Sequence, residues 1–131
     1  MANTKNMNKM NRHLEGKGEM SYDLINDILF FKVEEREYDY SLEFQNIVVD
    51  IDKEQFIVGI QIFDASKFLQ IEKVHLKQIP KWRFQAKIEE KIIELRLFYQ
   101  IIIRNQTIEK NPIIFQQNTT NLPNQMMTVP V

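Results

Sequence analysis

Three stretches of this chain read as strands that are apolar on both faces, and this constrains the fold more than any motif does. Ile28–Val33 is apolar apart from Lys32. Phe56, Val58, Ile60 and Ile62 share one face of the second stretch, while Ile57, Gly59 and Phe63 lie with Gln61 on the other. Between Lys91 and Arg104, the residues Ile93, Leu95, Leu97, Tyr99, Ile101 and Ile103 alternate with a second set that includes Ile92, Phe98 and Ile102. A sheet that is apolar on both sides has to be covered on both. Burying one large aliphatic side chain is worth roughly 1.5–3 kcal/mol, so open faces would cost several times that. The sequence offers one short helix as cover. Either the two β-rich halves pack face to face, or a second chain supplies the missing surface. The expectation is a β-rich domain that self-associates, with a homodimer favoured, or that binds a protein partner.

The remaining elements follow from periodicity. Tyr38, Tyr40, Leu42 and Phe44 alternate with Asp39, Ser41 and Glu43, a half-buried strand. Ile47, Val49 and Ile51 share a face and lead to a tight turn at Lys53-Glu54-Gln55. With the first two stretches above, this predicts a meander of about four strands. Asp64 predicts an N-cap for the one short helix, near residues 65–71. Ile79-Pro80 marks a break. Trp82, Phe84, Ala86 and Ile88 then alternate with Arg83, Gln85 and Lys87. Lys91–Arg104 also fits a helix face through Ile88, Ile92, Leu95, Tyr99 and Ile102, but the β-branched run Ile101–Ile103 favours strand. Asn105-Gln106 predicts a hairpin turn, and Thr107–Phe115 the return strand. Pro112 inside that strand argues for an edge or a bulge. The apolar end, Met126–Val131, predicts a last extended piece. The fold class is thus α+β, predominantly β: an antiparallel meander and two packed β units with one short helix.

Residues 1–20 hold four Asn in the first twelve positions, then Gly16 and Gly18, without apolar periodicity. They read as a mobile polar tail. Residues 21–131 read as one β-rich domain of two units. Here charge becomes informative. The net charge is −1, but residues 21–72 carry 4 basic and 12 acidic side chains, and residues 73–131 carry 9 basic and 4 acidic ones. A generally basic nucleic-acid binder is excluded, yet the second unit alone is positive. The chain has no Cys, hence no disulfide, thiolate metal site or Cys nucleophile. The N-terminal residues lack the apolar core of a signal peptide, and no uncharged stretch suits a membrane span. A cytoplasmic location without membrane contact is expected.

The first unit also carries a family pattern. Tyr22-Asp23, Asp27 and Leu29-Phe30-Phe31 are followed by Val49-Asp50-Ile51-Asp52, and then by Val58-Gly59-Ile60-Gln61-Ile62-Phe63-Asp64-Ala65-Ser66. Over about Ser21 to Gln70 the chain resembles the Domain of Unknown Function 2283 family, whose corresponding run reads V-G-I-E-I-L-D-A-S. Two departures are visible: Lys53-Glu54-Gln55 lacks the usual Gly, and Gln61 replaces a Glu. The second half is similar to longer archaeal members. The resemblance implies a small β unit that partners other proteins, and no established activity or cofactor.

Candidate chemistry has to be set against ordinary structural roles. Asp50 and Asp52, two apart on one strand, would point the same way. With Asp64 or Glu54 they could offer oxygen ligands to Mg²⁺ or Ca²⁺; otherwise they form a polar strand face. Asp23 and Asp27 could form an acid–base pair, or cap the turn before the first strand. His13 and His75 stand alone. Neither a G-x-S-x-G elbow nor a Gly-rich phosphate loop occurs, and Gly59 suggests a bulge or close backbone approach. In the basic unit, Arg83 and Lys87 share one strand face and Arg96, Phe98 and Arg104 another. Such groups could track single-stranded RNA, or simply meet the acidic unit. The expected function is a non-enzymatic interaction module. Nucleic-acid binding is the alternative, and a metal-dependent hydrolase around Asp50, Asp52 and Asp64 the third reading.

Overall fold

The structure is a computed structural model that describes residues 12–130. In chain order its elements are β1 (His13–Glu15), β2 (Gly18–Asp23), β3 (Ile28–Val33), β4 (Tyr40–Phe44), β5 (Ile47–Ile51) and β6 (Ile57–Phe63). Two short helices follow, α1 (Ala65–Leu69) and α2 (Lys73–Lys77). Then come β7 (Trp82–Glu89), β8 (Ile92–Ile103), β9 (Gln106–Lys110), β10 (Ile113–Gln117) and β11 (Gln125–Pro130). One sheet is antiparallel with the order β2-β3-β6-β5-β4. The other runs β1-β11-β7-β8-β10, with β9 also paired to β8. The expected class, α+β and predominantly β, is what the chain adopts.

For one face of each sheet the covering problem is solved within the chain. Leu29, Phe31, Val49, Ile60 and Ile62 of the first sheet are fully buried in one core with Phe84, Ala86, Leu95, Leu97, Met127 and Val129 of the second. Phe31 sits at the junction. Its ring lies 5.5 Å from Trp82, edge-on, and 5.5 Å from Phe84. Such tilted and edge-to-face pairs add to the gain from burial alone. Ala65, Ile71, Leu76 and Ile79, from the helical connection between the sheets, belong to the same core.

Several expectations need correction. Residues 13–15 and 18–20, assigned to the tail, are strands, so the tail reading does not hold there; residues 1–11 lie outside the described residues. β1 pairs in parallel with β11, His13 opposite Met126, so its partner is far away in sequence. β2 pairs with β3, which makes five strands in the first sheet instead of about four. Among the described residues there are two short helices, not one. α1 starts where expected, and α2 buries only Leu76 of its five residues, too little to register as a helical period.

Lys91–Arg104 is a strand, β8, as its alternation indicates. The two-residue turns on either side of it, Glu90-Lys91 and Arg104-Asn105, both have positive φ at both positions, the geometry that joins twisted antiparallel strands. The second turn lies one residue earlier than expected, because Ile103 pairs with Gln106. The return strand is interrupted at Asn111-Pro112, but β9 and β10 hold a single register on β8. Pro112 lacks an N–H, and its carbonyl accepts from Leu97 N–H at 3.1 Å. That pair thus keeps one of its two ladder hydrogen bonds, and the strand is interrupted there.

Candidate functional site

The family-pattern residues converge on one hydrogen-bond cluster. The turn between β2 and β3 brings Asp27 against the first turn of α1. Asp27 Oδ1 accepts from the Tyr22 hydroxyl at 2.6 Å and from Ser66 N–H at 3.0 Å; Oδ2 accepts from the Ser66 hydroxyl at 2.6 Å. Ala65 N–H donates to the Asp27 carbonyl at 3.0 Å. The cap of α1 is thus supplied by Asp27, across the turn. Asp64 occupies the N-cap position with φ 52° and makes no side-chain cap, which corrects the role expected for it. Asp23 caps its own turn, accepting from Asn26 N–H at 3.0 Å and from the Asn26 amide at 2.8 Å.

Electrostatics describe what this cluster can do. Burial works against the Asp27 charge, but hydrogen bonds from Ser66 and Tyr22 outweigh it and hold the carboxyl below its ordinary range. Burial, reinforced by Asp27, pushes the Tyr22 phenol up. Asp27 therefore stays ionised and Tyr22 protonated across the physiological range. A general base has to be poised near neutrality, and Asp27 is held away from it. The cluster acts as a clamp between sheet and helix. Because the folded pKa lies below the unfolded one, Asp27 contributes stability that is complete above about pH 4 and is lost as pH falls through the folded value. Asp27→Asn is expected to flatten the acid side of the melting-temperature profile, and Asp27→Ala to cost about 1–2 kcal/mol as a lost cap. An unchanged acid limb in Asp27→Asn would refute the clamp.

The metal candidates do not assemble. Asp50 accepts from Ser41 Oγ at 2.6 Å. Asp52 lies beyond the strand end, where it accepts from Phe56 N–H at 2.9 Å and pairs with Arg36 at 2.6 Å. The register shift between Asp50 and Ile51, with Ile57 opposite Ile51, leaves Val58 of β6 as the extra residue. Asp64 lies at the other end of β6. Among the described residues no group of three or more His, Cys, Asp or Glu could hold a metal. Gly59 lies opposite Asp50 beside this irregularity, and a Cβ there would meet Asp50 Oδ2 at 2.8 Å and the Phe31 carbonyl at 3.2 Å. Asp52 also borders a cleft of about 810 Å³ rimmed by Glu15, Lys17, Glu34, Glu35 and Glu54.

The basic candidates assemble in part. β7 and β8 are antiparallel, so the two faces expected for Arg83 with Lys87 and for Arg96 with Phe98 are a single outer face. The Arg83 guanidinium stacks 4.2 Å from the Phe98 ring, and Arg96 lies at 5.9 Å. Carboxylates interleave: Lys87 pairs with Glu89 at 3.0 Å and Arg96 with Glu94 at 3.4 Å. Arg104 falls in the turn after β8. His13 is in β1, 4.0 Å from Glu15, and His75 is in α2.

Residues that sequence reasoning did not single out hold the two sheets together. Gln125 is 3% exposed. Its Oε1 accepts from Ile57 N–H at 2.8 Å, and its Nε2 donates to the Gln55 carbonyl at 2.7 Å. Phe56 lies under two guanidinium groups, Arg12 at 4.3 Å and Arg36 at 5.3 Å. Nothing local marks these contacts, because their partners are distant in sequence.

Residues 19–66, from β2 to the first turn of α1, match the family described as "Protein of unknown function (DUF2283)". An uncharacterized protein of Methanocaldococcus jannaschii is 30% identical over 107 residues, which cover 81% of this chain and 92% of that protein. The chain belongs to the DUF2283 family. A second archaeal relative, from Methanosarcina mazei, is 29% identical over 102 residues, covering 78% of this chain and 83% of that protein, and bears the name "Putative hypoxanthine phosphoribosyltransferase". No solved structure matches. The family segment contains Tyr22, Asp27 and Ser66, so the clamp on α1 lies inside it. Among the described residues no helix is long and apolar enough to cross a membrane.

Proposed function

We propose that this DUF2283 protein is a non-enzymatic interaction module that associates with itself or with a protein partner. The observation that carries this reading is an apolar strip left open on the outer face of the second sheet. Phe115 is 59% exposed, Ile92 43% and Ile113 38%. The register of β10 on β8 makes them neighbours, since Phe115 lies opposite Glu94 and Gln117 opposite Ile92. Single exposed apolar residues are ordinary; a contiguous group marks a contact surface. The phosphoribosyltransferase name of the Methanosarcina relative is not carried over: the three Gly of this chain, at 16, 18 and 59, form no Gly-rich phosphate loop. Sedimentation of the full chain at tens of micromolar, with identification of any protein that co-purifies from its own cells, tests the proposal. A mass above the monomer or a stoichiometric protein partner is expected. A compact monomer with no protein partner would overturn it.

Nucleic-acid binding is a second reading, supported by Arg83, Lys87, Arg96 and Phe98 on one face. It requires binding of oligo-RNA that weakens steeply with salt. The interleaved Glu89 and Glu94 count against it.

A further inference from the structure

Open strand edges invite pairing with another chain, and proteins blunt them with charge, Pro or cover. In the first sheet the edge strands are β2 and β4, which carry Glu19, Asp23 and Glu43. In the second sheet one edge is β1, with His13 and Glu15, and the other is β9 followed by β10. β9 carries Glu109 and Lys110, and Pro112 follows it. β10, Ile-Ile-Phe-Gln-Gln, carries no charge and no Pro. It is the one unprotected edge strand among the described residues.

The register says which of its backbone groups are free. Leu97 N–H donates to the Pro112 carbonyl. Hydrogen-bonded pairs along an antiparallel ladder alternate, so the next ones on this side are Leu95 with Ile114 and Ile93 with Gln116. The N–H and C=O groups of Ile113, Phe115 and Gln117 then point away from the sheet. These three residues also place their side chains on the outer face, where the apolar strip lies.

We propose that β10 pairs antiparallel with β10 of a second copy about a two-fold axis at Phe115, so that the second sheet runs on across a dimer. This rests on the self-association arm of the proposed function and assigns its surface. A second copy fits because the edge is self-complementary. Phe115 meets Phe115, Ile113 meets Gln117, and the six free groups on each copy form six hydrogen bonds between the two. No like charges oppose each other. The same strip that is isolated in one copy becomes continuous across two, as a two-fold interface requires. Five residues give about 17 Å of shared edge. With side chains above and below, that buries on the order of 400 Å² per copy, below the size of standard stable interfaces, so the dimer is weak and concentration-dependent.

The test is sedimentation equilibrium of the full chain over the micromolar range, with amide hydrogen exchange read at both ends of it. The wild type is expected to dimerise, with Ile113, Phe115 and Gln117 amides gaining protection as concentration rises. Phe115→Lys places the missing charge on the edge, and Phe115→Pro removes an outward N–H while leaving the bonds to β8. Both are expected to weaken the dimer at least tenfold with melting behaviour close to wild type. Ile102→Lys, at the exposed tip of the β8–β9 hairpin, is expected to leave it unchanged. Dimerisation undiminished in both Phe115 variants would overturn the β10 interface while leaving self-association intact. A monomeric wild type throughout would overturn the dimer, and a co-purifying protein would then leave only the partner arm of the proposed function. If a variant unfolds, protection of the wild-type edge amides decides: none at high concentration refutes the pairing.

Discussion

Replacing Phe31 by Ala is expected to cost about 3–5 kcal/mol, the range for truncating a fully buried aromatic. Phe31 comes from the first sheet and touches Trp82 and Phe84 of the second, so its loss opens a void where the sheets meet. A domain of this size has about 5–15 kcal/mol in total, so the variant would be marginal. Urea unfolding checks this: the midpoint should fall sharply with an unchanged slope. Phe31→Leu, which keeps much of the volume, should lose far less. A loss below about 1 kcal/mol in Phe31→Ala would mean that the sheets do not share a core.

The second large effect is expected at Gln125. Gln125→Leu keeps the approximate volume but leaves Ile57 N–H and the Gln55 carbonyl without their partner. A buried polar group left unpaired costs roughly 1–3 kcal/mol, so a loss of about 3 kcal/mol is expected. Gln125→Glu separates hydrogen bonding from packing. An ionised Glu still accepts from Ile57 N–H but cannot donate to Gln55, whereas a protonated one can do both. Its folded pKa is raised by burial, so stability in this variant should recover as pH falls, opposite to the Asp27 effect. Denaturant melts at neutral and mildly acidic pH read the difference. A Gln125→Glu variant with the same pH profile as wild type would refute the bonding role.

What the sequence made legible is what local periodicity encodes. β4, β5 and β7 emerge from alternation, β3 and β6 from runs apolar on both faces, and β8 resolves its helix–strand ambiguity through Ile101–Ile103. β2 carries a weak signal of the same kind, in which Gly18, Met20 and Tyr22 alternate with Glu19, Ser21 and Asp23. β1 had none, because a three-residue strand with one apolar side chain exists only through its distant partner. Turns were hard for a different reason. Among the described residues eleven non-Gly positions have positive φ and no Gly does, so the usual turn marker is absent where it would help.

The candidate sites follow the same division. Tyr22, Asp27 and Ser66 were visible as a pattern, but their meeting depends on how a turn and a helix 39 residues apart are brought together. Asp50 and Asp52 have the spacing of a pair, but each is taken by a partner no local pattern marks: Ser41 for Asp50, and Arg36 with Phe56 N–H for Asp52. Arg83, Lys87, Arg96 and Phe98 looked split between two faces because the register of β7 on β8 is needed to see that they share one.

The placement of β11 between β1 and β7 bears on how the chain is made. The first sheet is built from strands between Gly18 and Phe63 and can form while the rest is still being synthesised. The second sheet cannot close in the same way. β1 leaves the ribosome early with no neighbour, and β7 waits with one side open, until residues 125–130 arrive to fill the gap. Pairings that span most of a chain are slow to form and expose unpaired edges meanwhile. The nascent protein therefore carries a half-built sheet until β11 is translated.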